Sequence, residues 1–360
     1  MQACKPTGIP ERDLNPCSCK KRRVKPTYIS MNHRLNGDTG VRLHRKLSDW
    51  RLAWLAPLWL ASTCYAMGLQ LEPAQVECGM AAAVASTPPE AALQRLPQSQ
   101  AVRGQRDIAW AWLGSPTQRY PHGALGSTTH AASLHVLART PEGGLQQVIY
   151  TLPVRRVFED RVPRLADLDG DGRDEIILVE ADAFQGAATV VFGLSPGATG
   201  PAVGGPQAAR HLAELARSPH AGSAFRWLNP VGVADFDGDG HLDIASVITP
   251  HVGGVLTLYH YRPPRLEPYA RAMDVSNHRM GMLEQRLAVI VEQAGQRPTI
   301  VLPDMQLGAL HALRWVAPGQ WQELADSRPL PARVERLTPL AGGGCLLLAN
   351  GSWWRVSLML

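Results

Sequence analysis

The sequence predicts an all-β protein and, more narrowly, a β-propeller of about five blades. Two acidic, glycine-containing loops, residues 167–175 and 235–243, carry the prediction, and they begin 68 residues apart. Each loop is followed by an apolar, β-branched run that is typical of a strand. Strand-rich units recur every 56–68 residues along the body of the chain, an interval that is typical of propellers and solenoids. If this count merges two units, about six or seven blades result.

The two loops share one pattern, with acids at positions 1, 3, 5 and 9 and glycines at positions 4 and 6. The glycines permit positive φ, so alternate side chains of a tight turn can converge. Calcium prefers about six to eight oxygen ligands. With backbone carbonyls contributing at Arg173 and His241, the predicted ligands are Asp167, Asp169, Asp171, Arg173 and Glu175 in the first loop and Asp235, Asp237, Asp239, His241 and Asp243 in the second. Asp174 is an alternative ligand in the first loop.

Two other interpretations of these loops compete with a calcium site. The first is a polar Asp/Gly turn without metal. That interpretation would suit a single loop, but two copies that each precede a strand count against it. An EF-hand loop ends in a glutamate at position 12 and lies between helices. Position 12 is here Leu178 or Ser246, and the flanking runs are β-branched. The sequence therefore favours calcium loops that lie between strands.

The excess of positive charge lies at the N-terminus. Residues 1–66 hold 12 of the 36 Lys and Arg and 4 of the 31 Asp and Glu, which leaves 24 basic and 27 acidic residues for the remainder. The body of the protein therefore gives no sign of a nucleic-acid surface. We interpret residues 1–50 as a basic leader. Residues 1–30 can lie upstream of the true start, because Met31 offers a second initiation site.

An uncharged apolar run, residues 52–69, follows the basic leader. Small residues before Ala66 are typical of a secretory signal that is cleaved there. A run of about 18 apolar residues can also span a bilayer as an uncleaved anchor. We therefore predict a signal-peptide h-region or a membrane anchor at residues 51–69 and an exported body, periplasmic or extracellular. Membrane association is expected only through this segment, if it is not cleaved.

The chain beyond this segment divides into a linker, residues 70–98, and the strand-rich body, residues 99–360. Alternating or β-branched runs predict strands at residues 107–114, 133–138, 147–152, 175–180, 188–193, 244–248, 255–261, 286–291 and 299–304. The spacing of Leu212, Leu215 and Ala216 instead predicts a helical insertion at residues 207–218. Asn350 and Gly351 predict a closing hairpin.

The strand that follows each acidic loop has counterparts elsewhere in the body. Aligning these strands places further repeat origins near residues 99 and 291, where the acidic ligand positions are not filled. Those repeats are predicted to have no metal site. The protein is therefore expected to bind at most two calcium ions.

The runs around the two loops, from Leu165 and Val233 onward, have the pattern Leu/Val-Ala-Asp-x-Asp-Gly-Asp-Gly-x-x-Asp/Glu-Ile. This pattern resembles the FG-GAP/VCBS repeats of integrin-like β-propellers, of the type found in bacterial secreted proteins. The resemblance covers residues 100–310 and is specific in the two loops. It implies that the loop of each such blade holds calcium through the residues named above. Glu175 departs from the family pattern, which has Asp at that position.

Two functions fit such a scaffold. The first is an exported binding or scaffold module, with structural calcium and an unidentified protein or saccharide partner. The second is a polysaccharide-active enzyme, a lyase or hydrolase, for which the candidate acid/base residues are Tyr120, His122, Glu180, His251 and His278. These residues form no motif, so we expect binding rather than catalysis. A cavity lined by convergent carboxylates and histidines would favour the enzyme.

Two cysteines bear on how the repeats close. If the signal is cleaved near Ala66, only Cys78 and Cys345 remain, near the two ends of the mature chain. A propeller must join its first and last blades, and exported compartments permit disulfides. We therefore predict a Cys78–Cys345 disulfide, the alternative being two unrelated buried thiols.

Overall fold

The computed structural model describes residues 68–75, 78, 87–195, 210–324 and 329–359. All of them belong to one compact unit, Ser62–Leu360. Within these residues the regular elements are 21 β-strands and one short 3-10 helix, Glu90–Gln94, so the all-β prediction is confirmed. No helix among them is long and apolar enough to cross a membrane. The predicted basic leader and nearly all of the signal or anchor segment lie outside the described residues.

The strands form five antiparallel meanders of four strands each. Meander 1 contains β2 (Val102–Arg103), β3 (Ile108–Thr117), β4 (His130–Arg139) and β5 (Leu145–Thr151). Meander 2 contains β7 (Arg164–Ala166), β8 (Glu175–Asp182), β9 (Gly186–Ser195) and β10 (His211–Arg217). Meander 3 contains β11 (Leu228–Ala234), β12 (Asp243–Ile248), β13 (Val255–Arg262) and β14 (Arg265–Met273). Meander 4 contains β15 (Val289–Val291), β16 (Thr299–Pro303), β17 (Leu310–Ala317) and β18 (Gln320–Glu323).

Meander 5 is completed by the N-terminal end of the described chain. It contains β19 (Val334–Leu340), β20 (Gly343–Leu348), β21 (Trp353–Met359) and β1 (Gly68–Ala74). β1 pairs with β21 along its whole length, with Gly68 opposite Met359. Cys78, just beyond β1, forms a disulfide with Cys345 on β20, with their Cα atoms 5.7 Å apart. This is the cysteine pair that the sequence predicted.

Two short pairings connect meanders 1 to 3 into one hydrogen-bonded sheet. The remaining strand, β6 (Arg156–Phe158), pairs with β8 and touches β4 through Ala131 and Phe158. Arg217 at the end of β10 bridges to Arg265 at the start of β14. The central strands of the meanders are apolar because they are buried on both faces, and all eight residues of β8 are buried.

The apolar faces of consecutive meanders pack against one another. One cluster joins meanders 1 and 2 around Leu134 and Phe192, and another joins meanders 2 and 3 around Val191 and Ile244. A third joins meanders 3 and 4 around Leu258, and a fourth joins meanders 4 and 5. Alternating residues of each strand therefore reach two different core layers.

The predicted linker at residues 70–98 is wrong at both ends. Residues up to Ala74 belong to β1, where Leu69 and Leu71 pack into the core between meanders 4 and 5. At the other end Leu96 is fully buried in the core between meanders 1 and 2. The start of β1 was hidden because its first apolar residues continue the apolar run of the predicted signal segment.

The predicted helix at residues 207–218 is also wrong, because residues 211–217 form β10. A β-bulge lies between Glu214 and Ala216 and leaves Leu215 as the extra residue. The bulge sends Leu212 and Ala216 to opposite faces of the sheet. Leu212 enters the core between meanders 1 and 2, and Ala216 enters the core between meanders 2 and 3. A bulged strand that is buried on both faces thus imitates helical spacing.

Candidate functional site

The two acidic loops occupy equivalent places in consecutive meanders. Residues 167–174 connect the first and second strands of meander 2, and residues 235–242 do the same in meander 3. The glycines at positions 4 and 6 have the positive φ that the sequence predicted. Their φ angles are 76° at Gly170, 83° at Gly172, 76° at Gly238 and 89° at Gly240.

Three carboxylates of the second loop converge. Ligand oxygens of Asp235, Asp237 and Asp243 all lie within 4.8 Å of one another. Two oxygens on opposite sides of a calcium ion, each at about 2.4 Å, are about 4.8 Å apart. The three carboxylates can therefore share one ion, as predicted. Asp239 instead groups with Asp237 and His260, again within 4.8 Å.

Backbone amides hold the first two carboxylates of this loop in place. The carboxylate of Asp235 accepts hydrogen bonds from the backbone N–H of Gly238 at 2.7 Å and of Gly240 at 3.0 Å. Asp237 accepts one from the N–H of Asp239 at 3.1 Å. The loop sequence thus provides both the carboxylates and the donors that orient them. His241, the predicted carbonyl ligand, lies on the exposed part of the loop.

The last carboxylate of the second loop, Asp243, is buried at the start of β12. Its Oδ2 accepts hydrogen bonds from the Tyr269 hydroxyl at 2.7 Å and from the N–H of Phe236 at 3.2 Å. Burial raises the pKa of Asp243 to about 6, although the hydrogen bond from Tyr269 opposes the rise. A nearby cation would relieve this cost, which is a reason to expect one here.

His260 is a potential ligand that sequence reasoning missed. It lies on β13 directly opposite Asp243. Its Nε2 is 3.0 Å from Oδ2 of Asp237, and its ring stacks on Tyr269 with the centroids 4.0 Å apart. Only the register between β12 and β13 brings His260 to the loop, so the loop motif contained no signal for it.

In the first loop, ligand oxygens of Asp167, Asp169 and Glu175 lie within 4.8 Å of one another. Burial raises the pKa of Glu175 to about 7, and the neighbouring aspartates add to the rise. Oδ1 of Asp167 is buried and has no hydrogen-bond partner. A buried carboxylate oxygen without a donor is costly, and a cation in the loop would satisfy it. The oxygen-only ligand set suits calcium.

Other predicted ligands of the first loop are turned to other partners. Asp174, the alternative ligand, is buried, accepts a hydrogen bond from Nη1 of Arg106 at 3.0 Å and lies outside the convergent group. Asp171 accepts a hydrogen bond from the N–H of Arg173 at 2.8 Å and stays outside the convergent group. The Arg173 side chain is ion-paired with Asp107 at 3.3 Å. Arg106 also approaches Asp167, with Nε 3.3 Å from Oδ2.

A cavity of about 720 Å³ lies among residues of meanders 1, 2, 3 and 5 and residues between 281 and 288, which lead into meander 4. Four arginines and one glutamate line it, and none of its lining residues is a histidine. The residues that line it are Gln98, Gln100, Gly126, Arg161, Val162, Arg164, Pro230, Val231, Gly281, Met282, Leu283, Glu284, Gln285, Arg286, Ala288 and Arg336. No sequence pattern predicted this cavity, because its lining residues come from separate parts of the chain.

The structure brings most of the candidate acid/base residues together, but away from the lining of this cavity. His122 is 2.7 Å from Glu159, and the His122 and Tyr120 ring centroids are 6.0 Å apart. His251 and His278 share a hydrogen bond of 2.8 Å. Burial lowers the pKa of His251 to about 4 and that of His278 to about 3.

Glu180, the remaining candidate, is enclosed within meander 2. It accepts a hydrogen bond from Nη2 of Arg217 at 2.9 Å, and Arg156 lies 3.4 Å away. Its side chain is fully buried. These contacts give Glu180 a structural role in holding β6, β8 and β10 together.

Comparison with known proteins gives little further information. No family model matches the chain, and no curated protein matches it. Among solved structures, the rhamnogalacturonan lyase PL11 of Bacillus licheniformis is 13% identical, with a TM-score of 0.28, over 63% of this chain and 52% of the lyase chain. The match thus spans about half of the lyase, and a similarity at this level carries no argument about fold or function.

Proposed function

We propose that the protein is an exported, calcium-stabilised β-propeller that acts as a binding or scaffold module. The observation that carries the proposal is the convergence of three carboxylates in each acidic loop, with ligand oxygens within 4.8 Å. The role of calcium is structural. Bound in the loops, it would fix the connection between the first and second strands of meanders 2 and 3. It would also offset the cost of burying Glu175 and Asp243.

Three features of the fold support a propeller. The protein has five four-stranded meanders whose faces pack on one another in chain order. The N-terminal strand completes the last meander, and a disulfide fastens it there. Four of the meanders and the segment that leads into meander 4 line one cavity, as blades around a central channel would. The proposal also agrees with the resemblance of the loops to FG-GAP/VCBS repeats.

Export is supported by the disulfide, because such bonds persist in oxidising compartments. We place the protein in the periplasm or outside the cell, where millimolar calcium can fill even weak sites. The partner is a protein or a saccharide. The cavity supports binding over catalysis, because its lining includes one carboxylate and no histidine.

Thermal unfolding tests the calcium proposal. Millimolar calcium should raise the unfolding midpoint by about 5 °C over protein in chelator. The variant with Asp235→Asn plus Asp237→Asn should lose about half of that rise, because the first loop stays intact. A control with Glu72→Gln plus Glu90→Gln removes two exposed carboxylates outside the loops and should keep the whole rise. Equal midpoints in calcium and chelator for the unmodified protein would contradict the proposal.

A further inference from the structure

The cavity of about 720 Å³ described above is strongly cationic. Four arginines line it, Arg161, Arg164, Arg286 and Arg336, against a single lining carboxylate, that of Glu284. Glu284 is shared, since its two oxygens lie 2.9 Å from Nε of Arg286 and 2.9 Å from Nε of Arg336. The cavity therefore has more guanidinium groups than its own carboxylate can pair.

The carboxylate beneath the cavity does not remove this excess. Asp160 is fully buried and pairs with Arg164, with Oδ2 2.8 Å from Nη1. Its other oxygen accepts hydrogen bonds from the N–H of Arg161 at 2.8 Å and from Nε2 of Gln285 at 3.1 Å. Counting Asp160 and Glu284 together, four cations face two anions. Glu159, a buried carboxylate that also acts on Arg161, raises the count to three anions. The four arginines still exceed these carboxylates, and an anion from outside would balance the excess.

Among the four lining arginines, Arg161 is the one whose guanidinium forms no ion pair within the described residues, although Asp160 and Glu159 lie near enough to act on it. Its side chain is almost completely buried, with the residue 2% exposed. Its guanidinium donates only to backbone carbonyls, to that of Pro97 at 3.3 Å and that of Thr129 at 3.2 Å. Its Nε has no hydrogen-bond partner at all. Burying a cation in this way is unfavourable unless an anion accompanies it.

A second polar group on the same cavity also lacks a partner. Gln285 is 7% exposed, and its Oε1 accepts no hydrogen bond. Its Nε2 donates to Oδ1 of Asp160 and, at 3.4 Å, to Oδ1 of Asn229. This arrangement fixes the amide orientation, because a flipped amide would place oxygen against oxygen. The cavity thus presents an unpaired cationic donor and an unpaired acceptor.

We propose that this cavity binds a small carboxylate that also carries hydroxyl groups. Guanidinium groups recognise carboxylates through two parallel hydrogen bonds, and a ligand hydroxyl can donate to the acceptor on Gln285. A volume of about 720 Å³ fits a small molecule or one to two sugar units. The inference rests on the proposed binding role and names its ligand class. Two sources share this chemistry, a uronic acid of a saccharide and a free hydroxy acid.

Calorimetric titration of the full-length protein in calcium buffer tests the proposal. The probes are D-glucuronate, L-lactate and D-glucose, where glucose differs from glucuronate in having no carboxylate. At least one acid should bind, and glucose should bind at least tenfold more weakly. Binding of glucuronate alone identifies a saccharide source, and binding of lactate alone identifies a free hydroxy acid. The proposal is overturned if neither acid binds at millimolar concentrations and about 20-fold molar excess. It is also overturned if glucose binds as tightly as the acids.

Two variants with opposite expected effects on acid binding distinguish a change in the site from a folding defect, because a folding defect would weaken binding in both. Arg336→Gln should weaken acid binding about tenfold, whereas Glu284→Gln should strengthen it several-fold by freeing two arginines. Arg355→Gln removes an exposed arginine on β21 that does not line the cavity, and it should change nothing. If Arg336→Gln and Arg355→Gln bind alike, the cavity is not the site.

The calcium and cavity proposals fail separately in this design. The calcium-dependent rise in the unfolding midpoint is measured on the same samples without any acid. A calcium effect without acid binding overturns only the cavity proposal. Acid binding without a calcium effect overturns only the role of the loops.

Discussion

The hydroxyl of Tyr269 on β14 donates a hydrogen bond of 2.7 Å to Oδ2 of Asp243, the last carboxylate of the second acidic loop. The two residues are 26 positions apart in the sequence. The contact orients the carboxylate of Asp243, which has a ligand oxygen within 4.8 Å of those of Asp235 and Asp237. Tyr269 thus supports the proposed calcium site by holding one of its ligands, without being a ligand itself.

Tyr269→Phe should weaken calcium binding at the second loop by about tenfold, since groups that orient metal ligands typically matter to that extent. Calorimetric titration with calcium measures the change. Tyr261→Phe is the matched control, because Tyr261 packs in the cluster with Leu168 beside the first loop and has no described hydrogen bond to a loop carboxylate. Equal losses in the two variants would contradict a specific role for Tyr269.

Arg106 predicts a difference between the two loops. Its Nε lies 3.3 Å from Asp167, so a protein cation already competes for the first ligand of the first loop. Arg106→Gln should tighten calcium binding at that loop several-fold, because it removes the cation that lies beside the carboxylate of Asp167. Arg103→Gln, which removes an exposed arginine of β2, should leave the affinity unchanged. Calcium titration of the three proteins checks both expectations, and a loss of affinity in Arg106→Gln would contradict this account.

Calcium binding should also release protons near pH 6. Burial raises the pKa of Glu175 to about 7 and that of Asp243 to about 6 in the metal-free protein. Without calcium these groups therefore stabilise the fold below about pH 4, and this contribution is lost as the pH rises through 6 to 7. Calcium must displace their protons, so its affinity should rise between about pH 5.5 and 7.5.

Titrations in two buffers with different ionisation enthalpies measure this proton release. About one proton per protein should leave at pH 6 and almost none at pH 8. The measurement at pH 8 is the internal control. An enthalpy of calcium binding that does not depend on the buffer at pH 6 would contradict the protonated state of the two carboxylates.

What the sequence could predict of the site follows from how the site is built. The loop carboxylates lie within nine consecutive residues, so their spacing alone predicted the convergent groups at Asp167 and Asp235. His260, Tyr269 and Arg106 come from other strands. Register determines which of them faces the loop, and a slip of one residue would turn each side chain to the other face. A single sequence does not reveal that register.

The fold was predictable to a similar extent. The strands after each loop are apolar and β-branched, and the structure has them as β8 and β12. The errors at β1 and β10 have different causes. β10 pairs with the neighbouring strand β9, but its bulge at Leu215 imitates helical spacing. β1 is defined by its pairing with β21. At the midpoint of the two strands Leu71 lies opposite Val356, which is 285 residues further along the chain. Local pattern contains no trace of such a pairing.

The Cys78–Cys345 disulfide should contribute strongly to stability, because the two cysteines are 267 residues apart and the bond closes a long loop. Chain-entropy arguments give about 5.6 kcal/mol for a loop of this length, and measured values are typically about 2–4 kcal/mol. Reductant should therefore lower the urea midpoint of the unmodified protein. The variant with Cys78→Ser plus Cys345→Ser should start at the lower midpoint and not respond to reductant. Peptide mapping without reduction checks the pairing, and separate Cys78 and Cys345 peptides would contradict it.

The His251–His278 pair predicts a loss of stability in acid. His278 Nε2 lies 2.8 Å from the carbonyl of Met282, so this nitrogen donates, and Nδ1 accepts the hydrogen bond from Nε2 of His251. A second proton on His278 would set two N–H groups against each other. Burial and this neighbour lower the pKa of His278 to about 3. The stability from keeping His278 neutral is present above about pH 6.5 and is lost as the pH falls toward 3.

His278→Gln should therefore reduce the acid sensitivity of the fold, because glutamine can donate to Met282 and accept from His251 without titrating. Between pH 7 and pH 4.5 the unmodified protein should lose about 2–3 kcal/mol more stability than the variant. Urea unfolding at the two pH values, in chelator, measures the difference. His211→Gln replaces an exposed histidine of β10 and should keep the sensitivity of the unmodified protein. The acidic-loop carboxylates are the same in all three proteins, so their opposite pH dependence cancels in the comparison. Equal losses in His278→Gln and His211→Gln would show that His278 is not the group that senses acid.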